Sequence, residues 1–288
     1  MAVTLVTGSS SGIGLATAVH FARQGHDVFA GVRDPGTAND LVAAIQRDGL
    51  SIRIVTLDVD DPTSVQRGVG EVHDMAGRVD VLVNNAGIGG GGAIEDVPLD
   101  WAQSLFQTNY FGAVRTIQAV LPGMRRQRAG AIVNVSSIAG RVAIAGHGHY
   151  SAVKHALEAM SEALAQEVQS FGIRVAIVEP GVVVTPIFGK ARRFGDESSP
   201  YADHVRRLLL YYRKQMPRAA RPEDAASVIH EAATTPEPRL RWTVGDDARL
   251  IDAGRRRLSD EEYIAAARPM PDEQYLAEMQ RLYGLAWS

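Results

Sequence analysis

The chain has 288 residues, 45% apolar and 22% charged, with a net charge of −3 at neutral pH. A chain of this length buries a substantial core without cross-links or metals. The absence of cysteine excludes disulfides, thiolate nucleophiles and cysteine-ligated zinc, and fits a reducing compartment. The mildly acidic balance offers no global attraction to nucleic acid or an anionic membrane. The first residues run straight into Thr7-Gly8, without the basic start and longer apolar run of a signal peptide. No segment approaches the ~18 apolar residues of a membrane span. A soluble cytoplasmic protein is the expectation.

In chain order, Val3–Thr7 reads as a buried strand ending in glycine, and 13–24 as a helix stopped by Gly25. Strands follow at Asp27–Val32, 52–57 and 79–83, separated by helical patterns over 41–48 and 63–76. A long helical stretch, 101–128, leads to a strand over 131–135; a second, 150–171, leads to a strand over 174–178. Strand–helix alternation at this spacing predicts an α/β fold, a parallel sheet with helices on both faces. Residues 182–217 read as loop and helices outside that sheet. Arg221-Pro222-Glu223-Asp224 reads as a helix start, 240–244 as a last strand, and 247–288 as a charged, partly helical tail. One domain with a C-terminal extension is the simplest account.

The turn Thr7-Gly8-Ser9-Ser10-Ser11-Gly12-Ile13-Gly14 joins the first strand to the first helix. Glycines there allow a tight turn and close approach to a pyrophosphate, and the helix start presents free N–H groups to it. Downstream, Tyr150 and Lys154 stand four residues apart at a helix start, on one face. An ammonium in that position favours the phenolate and suits a tyrosine for acid–base work. Ser137, 13 residues before Tyr150, ends a strand at the sheet edge where such folds bind ligands. Asn84-Asn85-Ala86-Gly87 ends the preceding strand at the same edge, and Asn109 is a polar residue inside an apolar helix.

Together these features resemble the short-chain dehydrogenase/reductase family. The resemblance runs in order from about residue 3 to 190: the Gly8/Gly12/Ile13/Gly14 turn, Asp58-Val59, Asn85 to Gly87, Asn109, Ser137, Tyr150 with Lys154, and Pro180-Gly181 followed by Thr185. It implies a doubly wound, Rossmann-type parallel sheet of about seven strands and an NAD(P)-dependent oxidoreductase. It also implies roles. Tyr150 would be the acid/base, and Lys154 would tune it and hold the nicotinamide ribose. Ser137 would stabilise the substrate oxygen, and Asn109 would position a relay water. Asp58 and Val59 would lie at the adenine, Gly8, Ser10, Ser11, Gly12, Ile13 and Gly14 at the pyrophosphate, and Asn85, Ala86 and Gly87 along the groove. Pro180, Gly181, Val183 and Thr185 would lie toward the carboxamide.

The acidic slot expected of NAD-preferring members is occupied by Val32, and Arg33 follows. Arg33 suits a 2′-phosphate, with Ser11 as a further donor, so NADP is favoured over NAD; in the alternative, Arg33 is a solvated charge and Asp34 serves NAD. The run from Asn109 to Pro122 resembles the branch of 17β-hydroxysteroid and retinol dehydrogenases. That implies an apolar alcohol or ketone, covered by 186–217, and a homodimer or homotetramer through 101–128 and 150–171. His147 and His149 lack the companions of a metal site; His147 or His149 is expected to line the substrate pocket instead. The competing readings are a family member with a non-redox net reaction, such as epimerisation, and a nucleotide-sensing regulator. Retention of Tyr150 and Lys154 weighs against the regulator.

Overall fold

A computed structural model describes residues 1–237 and 239–287. The first half comprises β1 (Val3–Thr7), α1 (Gly12–Arg23), β2 (Asp27–Val32), α2 (Asn39–Asp48), β3 (Ile52–Thr56), α3 (Pro62–Ala76), β4 (Val81–Asn84), β5 (Gly90–Gly91), α4 (Leu99–Phe106), α5 (Gly112–Gln127) and β6 (Gly130–Val135). The second comprises α6 (Gly148–Val168), β7 (Ile173–Pro180), α7 (Ile187–Lys190), β8 (Arg192–Arg193), α8 (Ala202–Gln215), α9 (Pro222–Thr234), β9 (Arg241–Val244), α10 (Asp246–Arg255), α11 (Asp260–Ala265) and α12 (Asp272–Tyr283). Seven strands form one parallel sheet in the order β3-β2-β1-β4-β6-β7-β9, a Rossmann-type doubly wound arrangement. No described helix is long and apolar enough to cross a membrane.

Successive side chains of a strand point to opposite faces, so continuously apolar strands feed two cores. Val6, Val28 and Val133 meet Phe21 of α1, Leu41 of α2 and Ile229 of α9 on one face. Leu5, Phe29 and Ile132 meet Val69 of α3, Val120 of α5 and Leu164 of α6 on the other. After β3 the chain returns to place β4 on the far side of β1. That reversal opens a crevice at the C-terminal ends of β1 and β4, where ligands of such sheets bind.

The stretch expected as one helix over 101–128 is broken. A π-helical turn, Gln107–Phe111, separates α4 from α5. It holds Asn109, whose buried amide is drawn to the backbone of Ile88; a wider i→i+5 turn of this kind is a frequent mark of a functional site. The charged tail is also more ordered than its composition suggests. Met279, Leu282, Tyr283 and Leu285 form a third apolar cluster with Tyr211 of α8, Val142 and Val182. Arg207 of α8 is only 3% exposed. It donates to the carbonyls of Arg268 at 2.8 Å and Met270 at 2.6 Å, buckling α8 to the extension.

A polar chain crosses the middle of the sheet. Thr116 Oγ1 of α5 donates to Asn84 Oδ1 (2.6 Å), Asn84 Nδ2 to Asn134 Oδ1 (2.9 Å), Asn134 Nδ2 to Ser161 Oγ of α6 (2.8 Å), and Ser161 Oγ to Leu157 O (2.6 Å). All four side chains are buried. In a low-dielectric interior a fully satisfied chain fixes one arrangement, whereas a broken one leaves costly unpaired groups. Asn134→Ala strands the Asn84 amide, and we expect it to cost about 1–3 kcal/mol, read from the urea midpoint.

Candidate active site

The site starts at the β1–α1 turn. Gly8 and Gly12 adopt φ of 67° and 58°, in the left-handed region that favours glycine. A Cβ at Gly8 would lie 2.7 Å from Ala86 Cα, and one at Gly14 would collide with Gly8 O and Asn85 Nδ2. The turn is stitched to the loop after β4. Thr7 Oγ1 accepts from the N–H groups of Asn85 and Ala86, each at 3.1 Å, and Asn85 Nδ2 donates to Thr7 O (3.0 Å) and Gly8 O (3.2 Å). Ser9 N donates to Gly31 O, tying the turn to β2 as well. Ser11, the N-cap of α1, makes no side-chain cap. Ser10, Ser11 and Ile13 are partly exposed beside the uncapped helix start. Backbone N–H groups left free in this way form a ready anion site.

At the neighbouring strand ends, Ser137 follows β6 and its Oγ lies 3.4 Å from Pro180 O at the end of β7. Tyr150 and Lys154 stand on the first turns of α6. Burial pushes the Tyr150 phenol up to about 12, and the Ser137 hydroxyl draws it back down. Burial also lowers the Lys154 ammonium to about 8, against the upward pull of Glu158. The expected tuning of Tyr150 by Lys154 is not the arrangement found. Lys154 Nζ donates to Val135 O at 2.9 Å and sits 5.8 Å from the Tyr150 ring centroid. It is buried against the strand that carries Ser137.

The remaining predicted residues fall around the same crevice. Asn109 Oδ1 accepts from Ile88 N (2.9 Å) and its Nδ2 donates to Ile88 O (3.0 Å). A Cβ at Gly87 would lie 2.5 Å from Asn109 Oδ1, so this glycine makes room for the asparagine. Asp58 accepts from Asp60 N and its own N–H donates to Ser64 Oγ, while buried Val59 packs where a Cβ on Gly112 would be. Thr185 lies against the phosphate turn, 3.3 Å from where a Gly12 Cβ would be. Buried Val183 bridges to Ala220. Gly181 packs on the Asp247 carboxylate, which also accepts from Val182 N at 2.7 Å. Arg33 is exposed at the end of β2, whereas the Asp34 carboxylate caps the next turn by accepting from Gly36 N at 2.9 Å.

A cleft of about 560 Å³ opens beside Ser137, walled by Val142, Val182, Tyr212, Ile251, Met279 and Tyr283. The covering segment expected over 186–217 therefore supplies only part of the wall. The C-terminal extension supplies the rest, a contribution its charged composition concealed. His147 also borders the cleft. Its ring stacks on Tyr150 with centroids 4.5 Å apart, and its Nδ1 lies 3.4 Å from Tyr212 Oη. His149 lies with Tyr150 and His147 against a separate, narrow groove bordered by Trp101 and Leu105. The sequence expectation named both histidines as alternatives; what it could not show was the stacking.

Comparison with known proteins gives a consistent picture. A family model described as short chain dehydrogenase matches residues 2–195. A 3-ketodihydrosphingosine reductase of Bacteroides thetaiotaomicron is 37% identical, over 87% of this chain and 90% of its own length. Retinol dehydrogenase 8 of Bos taurus is 39% identical, over 82% and 79%. The crystal structure of a short-chain dehydrogenase from Streptomyces avermitilis superposes with a TM-score of 0.80 at 36% identity, over 93% of this chain and 98% of that one.

Burial lowers His147 to about 4 from 6.5. The folded state thus holds the neutral ring, and the unfolded chain binds the extra proton between those two values. His147 stability is intact above the unfolded value and is lost as pH falls toward the folded one. The shift corresponds to about 3 kcal/mol, so His147→Gln is expected to flatten the acid limb of a urea-midpoint profile by an amount of that order.

Proposed function

We propose, from the premise that this chain belongs to the short-chain dehydrogenase family of oxidoreductases, that it interconverts an apolar secondary or primary alcohol and its ketone or aldehyde, using NADP(H). The observation that carries this reading is the pairing of the Tyr150 and Ser137 hydroxyls, with Ser137 lining an apolar cleft, at the same sheet edge as the uncapped start of α1. Two relatives carry the names retinol dehydrogenase and 3-ketodihydrosphingosine reductase. An apolar alcohol or ketone of that general kind suits this lining.

The residues present fit a dinucleotide. The Gly8–Gly14 turn packs on the loop after β4 too closely to admit a Cβ at Gly8 or Gly14, and its helix start, without a side-chain cap, offers backbone donors to an anion. Arg33 is free to meet a 2′-phosphate in a charge-assisted bond, while Asp34 is engaged in its own cap; this is the support for NADP over NAD. When bound, the nicotinamide supplies or accepts the hydride. Asp58 and Val59 would hold the adenine end, Asn85 to Gly87 the groove, and Val183 and Thr185 the carboxamide end.

The protein's own task is the proton. A phenol kept protonated by burial is set to give its proton from Tyr150 Oη to a carbonyl oxygen. Ser137 Oγ donates to the same oxygen as negative charge develops there. Lys154 would release Val135 O in part to hold a ribose hydroxyl and return a proton toward Tyr150. The Asn109 side chain is taken up by Ile88, so positioning of a relay water falls to its backbone carbonyl in the π turn. The wall from the C-terminal extension excludes water from the cleft. We place a second subunit of a homo-oligomer along α4, α5 and α6, where Phe111 is 44% exposed.

The test is oxidation of NADPH and of NADH with a panel of apolar ketones and aldehydes. We expect turnover that prefers NADPH; tight binding of NADPH with no turnover across the panel would favour a nucleotide-sensing role. Tyr150→Phe should lower kcat by about 10²–10⁴ while NADPH still binds. Arg33→Ala should weaken NADPH by about 1.5–3 kcal/mol, or roughly ten- to hundredfold, and leave NADH unchanged. Equal losses for both dinucleotides would remove Arg33 from the 2′-phosphate.

A further inference from the structure

Behind the Tyr150–Lys154 pair lies a cluster of buried charges that the mechanism does not use. Glu158 follows Lys154 by one turn on the same face of α6 and is 4% exposed; Glu179, near the end of β7, is 2% exposed. Arg241 of β9 reaches both, its Nε lying 3.0 Å from Glu158 Oε2 and 3.2 Å from Glu179 Oε1, and it also pairs with Glu162. Arg141, after β6, sits 3.8 Å from Glu179 and 3.6 Å from Asp252 of α10, which pairs in turn with Arg256. The carboxylates are therefore Glu158, Glu162, Glu179 and Asp252, and the guanidiniums are Arg141, Arg241 and Arg256. In its buried part Glu158 and Glu179 face Arg141 and Arg241, while Glu162 and Arg256 reach solvent, and Lys154 stands one helical turn from Glu158.

The cluster is also incompletely satisfied. Glu158 Oε1 is crowded by Ser136 Oγ, Glu179 Oε1 has only the Arg241 and Arg141 guanidiniums at 3.2 and 3.8 Å, and burial raises both carboxyls. A Cβ on Gly140 would lie 2.7 Å from Ser136 Oγ and 3.1 Å from Glu158 Oε1, so the serine and the carboxylate crowd one spot beneath the Ser137 turn. Buried ion clusters with unmet groups are poor stabilisers, and their effect on a neighbour is the better reason for them.

We propose that Glu158 is a positioning residue for the reaction: held by Arg241 against Glu179, its buried carboxylate keeps the Lys154 ammonium charged for dinucleotide and proton handling. This rests on the reading of Lys154 as the ribose-holding cation. Burial lowers Lys154 to about 8 even with Glu158 pulling it upward. Loss of that carboxylate removes the upward pull and leaves burial to lower Lys154 further.

The experiment is NADPH titration by fluorescence across the neutral to alkaline range, with Tyr150→Phe as a control that keeps the cluster intact. Wild type should lose affinity with a midpoint set by Lys154. Glu158→Gln should move that midpoint down by about one unit, a loss of affinity of roughly two- to fivefold between the two midpoints that approaches tenfold above the higher one, whereas Glu158→Asp, which keeps the charge, should restore it. Arg241→Gln removes a cation and should move the midpoint up. Opposite shifts are a signature that a merely structural role does not produce. A folded E158Q with an unmoved midpoint, or a wild type with no alkaline midpoint, overturns the inference. Where E158Q does not fold, R241Q decides: an unmoved or lowered midpoint overturns it. Failure of the wild type to bind NADPH or NADH at all would instead bring down the dinucleotide reading, and this inference with it.

Discussion

The site hangs from four polar side chains that cross the centre of the sheet. Thr116, Asn84, Asn134 and Ser161 join α5, β4, β6 and α6 in one hydrogen-bonded line. Apolar packing sets layers at the right spacing, yet it tolerates sliding along a strand. A buried amide-to-amide bond does not, since a small slip leaves two unpaired groups. The line therefore fixes the relative height of the loop after β4 and the turn after β6. The first carries Asn85 to Gly87, the second Ser137, and the helix that Ser161 belongs to carries Tyr150 and Lys154. The distance between the nucleotide crevice and the hydroxyl pair follows from that line together with the backbone ladder of β4 and β6.

Much of this was legible in the residues. The alternation of β-branched runs with helical patterns led to the parallel sheet, and the glycine turn between β1 and α1 stands where its spacing put it. Hydrophobic period is a local signal, and these elements have local causes. The π turn at Gln107–Phe111 has no such cause, because what widens the helix there is Asn109 reaching Ile88 across a gap of 21 residues. The role of the last forty or so residues was hidden for a related reason. Their apolar positions are sparse and interleaved with arginines, and only in three dimensions do Met279 and Tyr283 meet Ile251 and Tyr211 around a shared space. Arg207 likewise reads as a surface charge until its carbonyl partners are found on a distant loop.

Burial acts in one direction across the titratable groups of the site. It raises the phenols of Tyr150 and Tyr212 and lowers the Lys154 ammonium and the His147 imidazole. Each change favours the uncharged form. His147 and Tyr212 thus border the cleft as neutral hydrogen-bonding groups on an otherwise apolar lining, a surface suited to a substrate with one polar end. The sequence expectation of a lysine-lowered phenol gives way to a desolvated one, and the strong charges are kept one layer further in, around Arg241.

The buckle formed by Arg207 separates two kinds of evolutionary freedom. The strand ends that carry the reactive groups belong to a sheet whose every neighbour is hydrogen-bonded, so changes there propagate through the whole frame. The outer wall of the cleft joins that frame through the Arg207 guanidinium, through Asp247 and Asp252 of α10, and through a patch of side chains. The cleft-facing side chains Ile251, Met279 and Tyr283 belong to α10 and α12, not to the strands that lead to the hydroxyl pair. In this architecture a lineage can exchange one guest molecule for another by remodelling the tail, leaving the reaction itself untouched.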